Sequence, residues 1–260
     1  MSRLKRDHVH RIVSRRDLYR LAVAAALASP LVVPRFAVAT QEEPFDPGLP
    51  EEPAPTPTPS LPPLYRPPFG GDPGPSTWYV SQWYGNTVFG YRSRRGLYVE
   101  GQGIHFGVDF SAPCGTPVLA IGPGQVIAVD GGYGSPPHNV VVRHPDGNLS
   151  LYGHLVERSQ DVSYGQEVEA GDVVGRSGDS TARTTCDGNP HLHLEIRKGG
   201  RRVATNPVPL IDLNWEAAAL GHLPFAIDLT NPRQWQSIYH QPDITFGGPI
   251  INDYARAWPP

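Results

Sequence analysis

Hydrophobic and polar positions alternate with a period of two in the second half of the chain, a pattern typical of β-strands. The clearest segment carries Leu192, Leu194 and Ile196 on one face and two histidines, His191 and His193, on the other. Successive side chains of a strand point to opposite faces, so the three apolar residues predict one buried face. The two imidazoles then stand on the opposite face, about 7 Å apart at their Cα atoms.

Short strand-like segments separated by turn residues continue from residue 103 to residue 210, and this region contains no long helical pattern. The segment Pro145-Asp146-Gly147-Asn148 is a strong hairpin turn, and frequent glycines end the other strands. The pattern predicts an all-β fold built on an antiparallel sheet. The predicted strands are residues 116–121, 125–130, 139–143, 149–155, 166–170 and 173–177. A short helix is expected at 214–220.

Residues 1–39 have the three parts of an export signal: a basic segment containing Arg15 and Arg16, an apolar run, and the small residues Ala37-Val38-Ala39 as a cleavage site. The apolar run is too short to span a bilayer, so no permanent membrane span is expected after the signal is removed. The paired arginines resemble a bacterial twin-arginine signal, and an ordinary secretory signal is the alternative. Both interpretations predict an exported protein of the periplasm, the cell wall or the extracellular space.

The remaining segments divide by composition. Residues 40–76 are rich in proline and carboxylates, and they are predicted to form an extended linker because they cannot bury enough apolar surface to fold. Residues 77–210, beginning with an aromatic-rich lead-in, form the predicted domain. Residues 211–260 are expected to form an irregular C-terminal extension, to which the sequence assigns no role. The formal net charge of −3, with no dense basic run after the signal, argues against a nucleic-acid partner.

Two further segments carry histidines that are candidate site residues. His105 and Asp109 would be about 13 Å apart at their Cα atoms in an extended strand, too far to share a metal ion. Nearby glycines and a proline disfavour a helix, so a bend near Gly107 would bring the two side chains together; a buried His–Asp pair in a turn is the alternative. His154 also lies opposite an apolar face, where a lone histidine is more often structural than catalytic.

These residues form an ordered set: His-x-x-x-Asp at 105–109, Tyr-x-His-Leu at 152–155 and His-Leu-His-Leu-Glu at 191–195. The set, with its flanking segments, resembles the LytM/lysostaphin-type zinc metalloendopeptidases over roughly residues 100–208. The resemblance implies an antiparallel β-sheet metallopeptidase domain with an open groove. It also implies one zinc ion per chain and two catalytic histidines. The implied ligands are His105, Asp109 and His193, and the implied catalytic residues are His154 and His191.

The chemistry of such a site accounts for these residue types. Three protein ligands leave a fourth zinc position for water, whose pKa zinc lowers toward about 7 while it polarises the scissile carbonyl. His154 and His191 would serve as general base and oxyanion stabiliser, and the sequence leaves their division of labour open. Tyr98 is a further candidate donor to the oxyanion. Glu195 is expected to face the apolar side of its strand, as an edge or supporting residue and not a base.

The chain contains two cysteines, Cys114 and Cys186. The resemblance places both near the same site, and export would bring them into an oxidising compartment. A disulfide between them is expected, with two free thiols or two soft zinc ligands as the alternatives.

The expected function is hydrolysis of peptide bonds in peptidoglycan stem peptides or cross-bridges by an exported, monomeric zinc metalloendopeptidase. The alternatives are a peptidase acting on other extracellular peptides and a non-hydrolytic module that binds the wall or activates an amidase. All five residues implied by the resemblance are present, which favours hydrolysis. The sequence does not identify the bond that is cleaved, because the loops around the groove determine it.

Overall fold

An antiparallel sheet carries the segments that the sequence analysis singled out. The computed structural model describes residues 64–157, 161–180, 186, 188–221, 225–231 and 234–252. The strands in chain order are β1 (Tyr79–Gln82), β2 (Val108–Ser111), β3 (Pro117–Leu119), β4 (Gly124–Val129), β5 (Val140–Arg143), β6 (Leu149–Gly153), β7 (Glu167–Val168), β8 (Val173–Arg176), β9 (His191–Lys198), β10 (Val203–Thr205), β11 (Phe225–Ile227), β12 (Trp235–Ser237) and β13 (Ile244–Thr245).

Within the described ranges the main sheet has nine strands, and its path runs β1-β2-β9-β6-β5-β4-β7. Strand β10 pairs with β9 and also with β13, while β3–β8 and β11–β12 form two small separate sheets. Every one of these pairings is antiparallel. The predicted all-β, antiparallel fold class is therefore confirmed, and each predicted strand overlaps an observed one.

Helical structure in the described ranges is short. Helix α1 (Val88–Arg92) has five residues, and helix α2 (Trp215–Ala218) lies within the predicted helical segment. The Asn214 side chain caps α2 by accepting a hydrogen bond from the backbone N–H of Ala217 at 3.0 Å. Two 3-10 turns complete the list, Val208–Leu210 and Ile238–His240. The described part of the chain contains no helix with the length and apolar character of a membrane span; the predicted signal lies outside it.

Strand β9 lies inside the sheet between β2 and β6, and both of its faces are covered. Leu192, Leu194 and Ile196 are fully buried in the hydrophobic core, as the alternation predicts. The expectation that Glu195 faces this apolar side is wrong. Residues two apart on a strand share a face, so Glu195 lies on the face of His193, and it is fully buried.

The N-terminal boundary of the packed region lies earlier than the predicted linker suggests. Tyr65 and Phe69 are buried, the first with its hydroxyl donating to the Asp146 carboxylate at 2.7 Å and the second stacked on Trp78. Residues 64–76 therefore contribute to the core, because two aromatic side chains among the prolines find apolar partners in the domain. The part of the predicted linker before residue 64 and the predicted signal lie outside the described residues.

The C-terminal extension is also more regular than the predicted irregular segment. Strand β13 joins the main sheet through β10, and β11 and β12 form a hairpin. The Tyr84 hydroxyl donates to the carbonyl of Pro242 at 2.8 Å, and Trp215 packs against the rings of Trp83 and Phe110. Contacts between residues far apart in the chain stabilise this region, and such contacts leave no local periodic pattern.

Cys114 and Cys186 are bonded, as expected, with their Cα atoms 5.8 Å apart. The bond joins the loop after β2 to the loop before β9, and these two strands bear the predicted ligands Asp109 and His193.

Thiol titration of the denatured, unreduced protein is expected to find no free sulfhydryl. Replacing both cysteines by serine should lower the free energy of unfolding by roughly 4 kcal/mol, since the bond spans 72 residues. Urea unfolding of the variant measures this loss, and an unchanged midpoint would contradict it.

Candidate metal centre

The pairing of β2 with β9 brings two of the predicted ligands together. Asp109 lies directly opposite His193 in the register of the two strands. His105 reaches them from a bend just before β2, as the sequence predicts. A side chain at Gly107 would not fit this bend, because a Cβ atom there would lie 2.6 Å from the imidazole of His193. The bend therefore depends on glycine for its close approach to β9.

Three donor atoms converge at this point. The Oδ1 atom of Asp109 lies 2.7 Å from Nδ1 of His193 and 3.3 Å from Nε2 of His105, and the two nitrogens are 3.2 Å apart. Ligand atoms about 2.1 Å from a tetrahedral zinc ion are separated by about 3.4 Å, so two of these three distances lie within about 0.2 Å of that separation. All three side chains are buried, and they form a group of His, Asp and His that could hold a metal ion.

Each histidine of this group has its other ring nitrogen beside an acceptor. Nδ1 of His105 donates to the carbonyl oxygen of Trp83 at 2.8 Å, which leaves the lone pair on Nε2 facing Asp109. Nε2 of His193 lies 3.4 Å from the Glu195 carboxylate, which also accepts from Ser135 at 3.1 Å. This orientation leaves Nδ1 of His193 as the donor atom at the centre. Carboxylates and carbonyls in these places commonly orient metal-ligating histidines.

Electrostatics at the centre favour a positive charge. Burial raises the pKa of Asp109, but the two imidazoles outweigh burial and hold that pKa well below its usual range. Burial lowers the pKa of His193, yet hydrogen bonds and charge from Asp109 and Glu195 raise it to about 9. The carboxylates that favour a proton on this imidazole would equally favour a metal cation. Arg197, which donates to Glu195 at 2.8 Å, offsets part of the buried negative charge.

The two other predicted histidines lie beside the centre. The ring of His154 is 4.8 Å from that of His191 and 5.6 Å from that of His193, measured between centroids. Nδ1 of His154 donates to the carbonyl of Pro136, and Nδ1 of His191 donates to the carbonyl of Asn189 at 2.7 Å. Each carbonyl therefore favours the tautomer with the proton on Nδ1, in which Nε2 is an acceptor. Burial and the neighbouring imidazoles lower the pKa of His154 to about 4, so its ring is neutral at pH 7.

Gly178 fixes the backbones of both histidines. Its N–H donates to the carbonyl of His154, and its own carbonyl accepts from the N–H of His191, each at 2.9 Å. A Cβ atom at Gly178 would lie 2.7 Å from the His154 carbonyl oxygen, so no larger residue fits between the two segments. His154 itself has a φ of 59°, a conformation uncommon outside glycine. Such strained residues concentrate at functional sites.

An open groove with a volume of about 850 Å³ runs over these side chains. Tyr98 lines it, with its ring 5.4 Å from that of His105, and its hydroxyl donates to the side chain of Gln82 at 3.2 Å. Sequence reasoning missed the supporting groups Trp83, Ser135 and Pro136. Two of these act through backbone carbonyls, which no residue pattern reveals.

A buried His–Asp–His group that could hold a metal ion lies on the floor of an open groove, with two further imidazoles beside it. Residues 103–206 match the family model described as peptidase family M23. This match confirms the resemblance to LytM/lysostaphin-type peptidases over the matched segment.

Curated proteins with similar sequences include the DD-carboxypeptidase/endopeptidase Mpg of Neisseria meningitidis serogroup B, which is 42% identical over 47% of this chain and 26% of its own length. Lysostaphin of Staphylococcus staphylolyticus is 33% identical over 51% of this chain and 27% of its own. The murein hydrolase activator EnvC of Escherichia coli K12 is 39% identical over 45% of this chain and 26% of its own length. The chain thus spans about a quarter of the length of these relatives.

Proposed function

We propose that this chain is an exported zinc metalloendopeptidase that hydrolyses peptide bonds in the stem peptides or cross-bridges of peptidoglycan. The observation that carries the proposal is the convergence of three buried donor atoms with two adjacent histidines, His154 and His191, on the floor of one groove. All of these groups belong to one chain, so the site needs no partner subunit, and we propose that the protein acts as a monomer.

We assign one zinc ion to His105, Asp109 and His193. Two nitrogen donors and one carboxylate oxygen suit zinc, and three protein ligands are typical of a catalytic site that keeps one position open. When bound, zinc supplies Lewis-acid polarisation of the scissile carbonyl and makes water acidic enough to deprotonate near neutral pH. Glu195 and the carbonyl of Trp83 hold the two imidazoles in the tautomers that this role requires.

His154 and His191 carry the proton transfers in this proposal. Each keeps its proton on Nδ1 through a backbone carbonyl, so Nε2 is the atom that accepts a proton from the attacking water. The protonated ring then donates the same proton to the nitrogen of the leaving amine. The second histidine hydrogen-bonds the developing oxyanion only when its Nε2 also carries a proton. The two rings are adjacent enough to contact the same reacting carbonyl.

Two relatives support peptidoglycan as the substrate class. The name of Mpg describes a DD-carboxypeptidase/endopeptidase, and the name of EnvC describes an activator of murein hydrolases. The similarity to EnvC favours a second candidate function, activation of a separate murein hydrolase. The complete set of donors and imidazoles supports hydrolysis instead, because an activator that performs no chemistry would need none of them.

Digestion of purified sacculi tests the proposal. The zinc-loaded mature protein is expected to release fragments with new amino and carboxyl termini, which mass spectrometry identifies together with the bond cleaved. The same protein treated with a chelator should release none. If the zinc-loaded protein releases no fragment but increases the activity of an added amidase on the same sacculi, the chain is an activator and the hydrolytic proposal is wrong.

A further inference from the structure

Part of the groove wall comes from outside the M23 segment. Phe89 on α1, Leu97 in the lead-in, and Ala226 and Trp235 of the C-terminal β11–β12 hairpin all line the groove. Phe89, Leu97 and Trp235 keep 53%, 66% and 57% of their surface exposed, respectively. Large apolar side chains that share one groove are typical of a binding surface, because isolated exposed apolar residues would be scattered over the protein.

A buried amide holds the hairpin against the lead-in. Asn86 is fully buried, its carbonyl accepts from the N–H of Ile227 at 2.9 Å, and its side chain donates to the carbonyl of Ile227 at 3.1 Å. Ile227 lies opposite Trp235 in the hairpin register. Asn252 and Gln241 hydrogen-bond the same asparagine at 2.7 and 3.0 Å. Buried polar networks of this kind rigidify a structure, so the network fixes where the hairpin meets the groove.

The charge of the lining indicates what the groove accepts. Among the described lining residues, those outside the metal centre and its histidines are apolar or neutral and polar. The neutral polar members are Ser81, Gln82, Thr87, Ser135, Ser180 and Asn189. An apolar group gains by burial against such a lining, whereas no described lining residue outside the metal centre and its histidines offers an opposite charge to an ionic group.

We propose that Trp235, Phe89 and Leu97 form a subsite that binds an uncharged, apolar side chain of the peptide substrate beside the scissile bond. The C-terminal extension is then a specificity-determining part of the substrate groove. This inference rests on the proposed function, since it takes the occupant to be the peptide on which the metal centre acts. The groove is continuous with the metal centre, which is why the occupant is substrate and not a separate partner.

The test uses two synthetic peptides with the same scissile bond, one with leucine and one with glutamate at the flanking position. Trp235→Ala in the full chain is expected to raise KM for the leucine peptide about tenfold, leave kcat unchanged, and leave the glutamate peptide unaffected. Trp235→Phe should restore most of the affinity. Tyr239→Ala is the matched control, because Tyr239 is an exposed aromatic residue of the same extension that does not line the groove. Zinc content and melting temperature should be the same in all variants.

A binding measurement separates failure of the subsite from failure of the proposed hydrolysis. The zinc-loaded His191→Ala chain is titrated with the leucine peptide, with and without Trp235→Ala, and the dissociation constant is read by calorimetry. The affinity should fall about tenfold on loss of the indole even if the wild-type protein cleaves neither peptide. Equal dissociation constants would overturn the subsite. A dimer in sedimentation that Trp235→Ala dissociates would also overturn it, because the apolar surface would then bind a second copy of the chain.

Discussion

Replacing His193 by alanine is expected to remove nearly all of the bound zinc. His193 lies at the centre of the site, with Nδ1 2.7 Å from the Asp109 carboxylate and Nε2 3.4 Å from Glu195. Its loss leaves two of the three proposed ligands. Two-ligand sites do not hold zinc at the affinity of a three-ligand catalytic site. Metal analysis by mass spectrometry after dialysis measures the change from one equivalent.

His240→Ala serves as the control for this measurement, because His240 is exposed and does not line the groove. It should keep a full equivalent of zinc. The melting temperature of each variant shows whether the fold survives, and His193→Gln, which nearly preserves the side-chain volume, provides a second test if the alanine variant unfolds. A full zinc equivalent in either folded His193 variant would refute the ligand assignment.

His154→Ala and His191→Ala are expected to keep zinc and lose most of their turnover. Neither side chain belongs to the group of converging donors, so the metal should remain. A positioned general acid or base contributes about two to four orders of magnitude to a rate, and kcat on a peptide substrate should fall by that amount. Zinc content and kcat measured on the same preparations check both parts of the expectation.

His138→Ala provides a matched control. His138 lies two residues after Pro136, whose carbonyl accepts from His154, but it pairs with Asp130 at 3.1 Å and does not line the groove. Its turnover should stay within about twofold of the wild type. The outcome that would exchange the roles is loss of zinc from His154→Ala or His191→Ala while His193→Ala retains it.

Much of the site could be predicted because its geometry is local to short segments. The alternation in β9 places His191 and His193 on one face, and the spacing of His105 and Asp109 leaves a bend at Gly107 as the arrangement that joins them. The hairpin before His154 also follows from its turn residues. Each of these inferences uses only backbone geometry and a few neighbouring residues.

The parts that could not be predicted depend on contacts between distant residues. Asn86 bonds to Ile227 and Asn252, which are 141 and 166 residues away, and nothing in the local sequence marks these partners. The same holds for Tyr65, which contacts Asp146 across 81 residues. Glu195 is a different case. The period of two already places it on the same face as His193, so the prediction of the opposite face is wrong on strand geometry alone.

The central position of β9 links the proposed reaction chemistry to the packing of the core. One strand holds the proposed metal ligand His193 and the proposed catalytic His191 on one face and three core residues on the other, so the proposed chemistry and the stability of the fold share one segment. Trp235, by contrast, lines the groove from the β11–β12 hairpin, which forms a two-stranded sheet of its own. If Trp235 binds substrate as proposed, side-chain substitutions on the exposed face of this hairpin are expected to change which peptide is bound without altering the metal centre.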